Sequence, residues 1–135
     1  MAFDPKAIRI LLVEDTAVMR KIETKTLRNL GFTSIVEAAD GKEAVALLQE
    51  GRSADLVISD WNMPNMDGLE LLKNVRSDPQ LKDIPVLMVT AEAEKEKVVA
   101  AIQAGVNNYI VKPFTGEVLK EKIDKILQKL ESQQK

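Results

Sequence analysis

The chain contains no cysteine and no histidine among its 135 residues. The first absence excludes disulfides and thiolate metal sites. The second excludes a His-based triad, a His–zinc centre and an internal phosphohistidine. Any phosphoryl chemistry routed through a histidine would therefore need that histidine on another molecule. A long hydrophobic run is also lacking: no apolar stretch approaches the ~20 residues needed to span a bilayer. The start, Met1 to Ala7, has neither the basic opening nor the apolar segment of a signal peptide. A cytoplasmic protein with no membrane partner is the expectation. Basic excess is missing as well. The formal net charge of -2 argues against a nucleic-acid partner, which would call for a basic stripe. No linker, low-complexity tract or internal repeat is visible.

What is present is a soluble, core-forming composition, 45% hydrophobic and 30% charged. At this length one domain over 1–135, with a core over about 8–130, is expected, leaving no room for an effector domain. Short apolar runs at 8–13, 34–38, 56–59, 86–89 and 109–111 read as strands. Between them lie helical patterns. Val18, Ile22, Thr26 and Leu30 recur every four residues, with Met19 and Leu27 alongside, and predict the inner face of the first helix. Asp40 and Glu43 form a capping-box pattern for the second helix, whose inner face is Ala44, Leu47 and Leu48. Leu71, Leu72 and Val75 mark a third helix, ending near Asp78. Val98, Ala101 and Ile102 mark a fourth. Thr115 can cap a fifth, carrying Leu119, Ile123, Ile126, Leu127 and Leu130. Gly31, Gly51 and Gly105 stand where helices should stop.

Strand–helix alternation repeated five times implies an α/β fold: a doubly wound parallel sheet covered on both faces. Few topologies survive right-handed crossovers. One is the flavodoxin-like order 2-1-3-4-5, with strands 1 and 3 adjacent at the switch point, where ligands bind outside the carboxyl ends of the strands.

Four of the apolar runs end in chemistry: Glu14 and Asp15, Asp60, Thr90, and Lys112. Three carboxylates held close together repel one another, and a bound cation removes that conflict. Mg²⁺ is usually held by one or two carboxylates plus phosphate oxygens; Glu14, Asp15 and Asp60 suit it, with a backbone carbonyl near Asn62 as an extra ligand. Asp60 is the candidate nucleophile, able to form an acyl phosphate. Lys112 and Thr90 offer an ammonium and a hydroxyl to phosphoryl oxygens. Each residue also has an ordinary reading. Asp15 can cap a helix, Asp60 can sit in a turn, Thr90 can simply finish a strand, and Lys112 can be a solvated lysine before a proline. The weight lies in their convergence. On the fourth helix, Val98 to Ile102 is a continuous apolar stretch, so part of it should face outward.

The chain resembles a response-regulator receiver domain, and in particular a CheY-like chemotaxis regulator. The resemblance runs from about Ile8 to Leu130. It is carried by LLVEDTAVMRK at 11–21, VISDWNMPNMDGLELL at 57–72, PVLMVTAEAEKE at 85–96 and VKPF at 111–114. It implies that Asp60 is the phosphoacceptor, with Mg²⁺ held by Asp15, Asp60 and the Asn62 backbone carbonyl and assisted by Glu14. Thr90 and Lys112 would contact the phosphoryl group. Tyr109 would be an aromatic switch coupled to Thr90, the Lys112–Pro113 bond would be cis, and Asn62 and Glu92 would tune dephosphorylation. The partner surface would combine the fourth helix, fifth strand and fifth helix and include Ala93, Lys95, Val98, Tyr109 and Lys122. The implied partners are a histidine kinase, a flagellar-motor switch protein or similar target, and a phosphatase; a monomer is expected, catalysing only its own phosphorylation and dephosphorylation. Two positions depart from the chemotaxis branch. Glu14 stands where an aspartate is usual, which should alter metal affinity, and Thr16 stands where a bulkier residue is common. Other readings are a phosphorelay intermediate and a haloacid-dehalogenase-like phosphatase. The latter typically has a second aspartate where this chain has Asn62. A flavodoxin is a weaker contender, since no Ser/Thr/Gly-rich phosphate loop follows the first strand.

Overall fold

Each apolar run forms a strand whose alternate residues face opposite sides. The computed structural model describes residues 4–51, 54–91, 95–112 and 114–133, without the side chains of Lys95 and 130–133. The strands are β1 (Arg9–Val13), β2 (Ser34–Ala38), β3 (Leu56–Asp60), β4 (Val86–Thr90) and β5 (Asn108–Val111). The helices are α1 (Ala17–Asn29), α2 (Gly41–Gln49), α3 (Gly68–Ser77), α4 (Lys95–Gln103) and α5 (Gly116–Gln133). The sheet is wholly parallel, in the order β2-β1-β3-β4-β5. This is the doubly wound arrangement expected from the sequence.

Period-two alternation divides the core in two. Ile10 and Leu12 of β1, Leu56 and Ile58 of β3, Leu87 and Val89 of β4 and Ile110 of β5 pack with Leu27 of α1 and with Leu119 and Ile123 of α5. Leu11, Val13, Val57, Val86 and Met88 pack on the other side with Ala44 and Leu48 of α2, Leu71, Leu72 and Val75 of α3, and Ala101 of α4. β2 is an edge strand and is only partly buried.

Local chemistry sets the helix ends. Asp40 accepts from the Glu43 N–H at 2.8 Å, while Glu43 reaches back to the N–H of Ala39, one residue before the expected partner. The reciprocal capping box belongs instead to α3, between Asp67 and Glu70. Thr115 accepts from the Val118 N–H at the start of α5. Gly31 and Gly105 follow α1 and α4 with φ of 103° and 94°, a conformation that favours glycine.

One expected face is right only in part. Leu27 is buried and Leu30 packs against the core, but Val18 and Ile22 are 67% and 53% exposed, and the buried residues of α1 are Glu23 and Leu27. The four-residue recurrence exists, but the adjacent row turns toward the sheet. Periodicity gives a helix, whereas the chain's entry from β1 decides its rotation, and a glutamate in the inward row hides that row from a hydrophobicity reading.

Candidate functional site

The parallel register brings the strand ends together. Val13 pairs with Ser59, so Glu14 comes beside Asp60; Asp60 pairs with Val89, and Thr90 with Val111. Side-chain parity then sorts the polar residues. Glu14, Asp60 and Lys112 continue the rows that face α1 and α5, while Thr90 and Tyr109 continue the rows that face α3 and α4.

Glu14 is 1% exposed, and both its carboxylate oxygens are occupied. Oε1 accepts from Lys112 Nζ at 3.0 Å. Oε2 accepts from the Thr16 N–H at 3.2 Å and the Thr16 hydroxyl at 3.3 Å. Lys112 Nζ also lies 3.3 Å from Asp60 Oδ1. That same oxygen accepts the Trp61 N–H at 3.0 Å. Arg20 Nη1 donates to the Glu14 carbonyl at 2.8 Å, tying the first turn of α1 to the end of β1.

The electrostatics follow from burial and crowding. Asp60 is pushed up to about 6, chiefly by burial and then by the charge of Glu14. Burial also pushes Glu14 up, but hydrogen bonds involving Asp15, Lys112 and Thr16 outweigh it and hold Glu14 below the usual carboxylate range. Asp15 is raised, first by its hydrogen bond with Glu14. Burial lowers Lys112, yet Glu14 and Asp60 together raise it above its ordinary value. The pocket thus holds more acid than its one lysine can neutralise.

That donor set fits a hard divalent cation. Oxygens from Glu14, Asp15 and Asp60 lie within 4.8 Å of one another, and carboxylate oxygens are the ligands Mg²⁺ prefers. Asn62 is exposed, two residues beyond Asp60. Thr90 is buried, and its carbonyl accepts the Lys112 N–H at 2.8 Å. Tyr109 is half-buried against the α2–α4 side of the core, and Lys122 Nζ lies 5.7 Å from its ring centroid. Val98 is half-buried on α4, beside Val99 and Ile102, which are 43% and 60% exposed. Glu92, Ala93 and Pro113 lie outside the described residues, as do the bond expected to be cis and the side chain of Lys95.

Two contributors were not singled out in the sequence. Trp61 donates to Asp60 and lies under Lys97 of α4, 5.9 Å from the ring centroid; its place directly after the candidate nucleophile was the available signal. Glu23, buried on α1, feels the charges of Glu14, Lys112 and Asp60. Nothing in the local sequence distinguishes it from a surface glutamate.

No helix among the described residues is long and apolar enough to cross a membrane. Residues 10–124 match the family model described as the response regulator receiver domain. The chain is 54% identical over 125 residues to chemotaxis protein CheY-3 of Vibrio cholerae, covering 93% of this chain and 95% of that protein. It is 52% identical over 123 residues to chemotaxis protein CheY of Pseudomonas aeruginosa, covering 91% and 98%. Among solved structures, the chemotaxis response regulator CheY4 of Vibrio cholerae superposes with a TM-score of 0.80 at 38% identity, covering 88% of this chain and 98% of that one. The signal receiver domain of a signal transduction histidine kinase from Syntrophus aciditrophicus gives 0.82 at 32% identity, covering 90% and 91%. With its strand order, its acidic strand ends and these likenesses in agreement, the chain belongs to the response regulator receiver domain family.

Proposed function

We propose that the chain is a single-domain, phosphorylation-dependent switch of the chemotaxis type. The observation that carries this reading is the placement of Asp60 between an acidic cluster and Lys112, at one end of a parallel sheet. An Asp60 carboxylate oxygen attacks the phosphorus of a phosphohistidine on a kinase. The P–N bond breaks, the electron pair leaves with the histidine nitrogen, which takes up a proton, and an acyl phosphate forms on Asp60. Glu14, Asp15 and Asp60, with the Asn62 carbonyl, would hold Mg²⁺, which supplies positive charge to the incoming phosphoryl oxygens. Lys112 supplies a further cation and Thr90 a hydroxyl. Water attack at phosphorus later returns the carboxylate and releases inorganic phosphate, a step whose rate Asn62 and Glu92 would tune.

A receiver is a signalling protein, and on this reading its chemistry is confined to its own aspartate. A phosphoryl group adds charge and strong acceptors, and Thr90 and Tyr109 share the sheet face on which α4 packs. Movement of the hydroxyl toward the phosphate would vacate space for the ring and change the α4–β5–α5 surface. Ala93, Lys95, Val98, Tyr109 and Lys122 would then meet a target such as a flagellar-motor switch component. Exposed Val99 and Ile102 add apolar area to that face.

Intact mass with a small phosphodonor and Mg²⁺, followed by mapping of the modified residue, tests this reading. One phosphoryl group on Asp60, lost in Asp60→Asn, is expected. Labelling of Asp60→Asn to wild-type occupancy would overturn the reading.

A further inference from the structure

Glu23 is 6% exposed, and its Oε2 has no hydrogen-bond partner. A carboxylate buried without partners is costly to keep ionised, so a structural role alone would favour an apolar residue, as at Leu27 one turn on. The charges that reach Glu23 are those of Glu14 after β1, Lys112 after β5 and Asp60 at the end of β3. The parity of β1 and β3 turns these toward α1. On the far side α5 approaches α1 at Gly116, beside Thr26 and Leu30, and none of the three brings charge.

We propose that Glu23 is a positioning residue for the acidic site: through its proton, its buried carboxyl sets the charge behind Lys112 and thereby the site's affinity for a divalent cation. The inference rests on reading Glu14, Asp15 and Asp60 as a cation site. Ionised Glu23 adds a negative charge to the pocket and strengthens cation binding. Protonated Glu23 adds none. Cation binding therefore opposes the proton, and linkage makes the effect reciprocal. A phosphoryl group on Asp60 brings negative charge and pulls the other way, toward protonated Glu23. Burial, with the charge of Glu14, pushes the carboxyl up to about 7, so both states are available near neutral pH.

The test is Mg²⁺ titration of the whole chain at pH 6 and pH 8.5, followed by calorimetry and Trp61 fluorescence, for wild type, Glu23→Gln and Glu23→Leu. Expected is a variant-to-wild-type Kd ratio near one at pH 6, rising to about three- to tenfold at pH 8.5 for both variants, as one charge at medium range in a partly solvated pocket would give. Glutamine keeps the shape and leucine the burial, so a shared result assigns the effect to charge. A ratio that does not change with pH would overturn the role of Glu23 while leaving the cation site standing. Wild type that binds no Mg²⁺ at either pH would overturn both.

Discussion

Lys112 Nζ lies 3.3 Å from Asp60 Oδ1, so the ammonium proposed to receive a phosphoryl oxygen already holds the carboxylate proposed to carry it. The same ammonium donates to buried Glu14. Removing it leaves two crowded carboxylates without a cation inside the protein. Lys112→Met should lower phosphodonor labelling at least tenfold. It should also lower stability at pH 7.5 by about 1–3 kcal/mol, less than for a fully buried pair because Lys112 is partly solvated. Part of that loss should return at pH 5, where protonation relieves the repulsion. Urea unfolding at the two pH values checks the stability claim, and equal losses at both would contradict it.

Glu23 makes a metal-free prediction. Its carboxyl has an ordinary value of 4.5 and is raised to about 7 in the fold. Between those values the unfolded chain has released the proton while the folded chain keeps it, so stability falls as pH rises through that window. At most about 3 kcal/mol is lost from this group. Glu23→Gln should therefore gain on wild type between pH 4.5 and pH 7.5, measured as the difference in unfolding free energy. A difference independent of pH would rule this out.

Gly68 begins α3 close to the end of β3, where Asp60 stands. A Cβ there would collide with the Asp60 carbonyl oxygen and lie 2.7 Å from Met88 Sδ. The methionine can move, but the β3 backbone cannot move without disturbing Asp60. Gly68→Ala should cost about 2–3 kcal/mol and also slow phosphorylation of Asp60. Thermal unfolding and labelling kinetics read the two effects separately.

Arg76 is expected to act on stability and not on the acidic cluster. Its guanidinium donates to the carbonyls of Gly105, Lys82 and Ile84 and to Asn107 Oδ1, clamping α3 to the loops before β4 and β5. Arg76→Ala should lose about 2 kcal/mol with the final extent of Asp60 labelling unchanged. Arg76→Lys should recover little, because one ammonium cannot span the fork. Full recovery by lysine would show that charge, and not geometry, holds the clamp.

Much of the fold was legible in the sequence. Five apolar runs separated by helical periods leave few topologies, and each strand lies within one residue of its expected place. Strand ends were the informative positions, because a parallel sheet must collect them along one edge. The outer face of α4 was foreseen for a related reason: Val98 to Ile102 is more apolar surface than one docked face can cover, and Val99 and Ile102 do point outward.

By itself, then, the sequence determined the alternation of elements, the sheet order it permits, and which acids and which lysine stand at the strand ends. The helix rotations were decided only in the tertiary structure. Val18 and Ile22 face solvent while Glu23 is buried, because rotation depends on how the chain leaves β1 and on the combined packing of two layers, not on any local pattern. The shared grip of Lys112 on Glu14 and Asp60 was likewise settled there. Charges distant along the chain meet only once the sheet is closed, and burial then makes their interactions strong enough to shift protons.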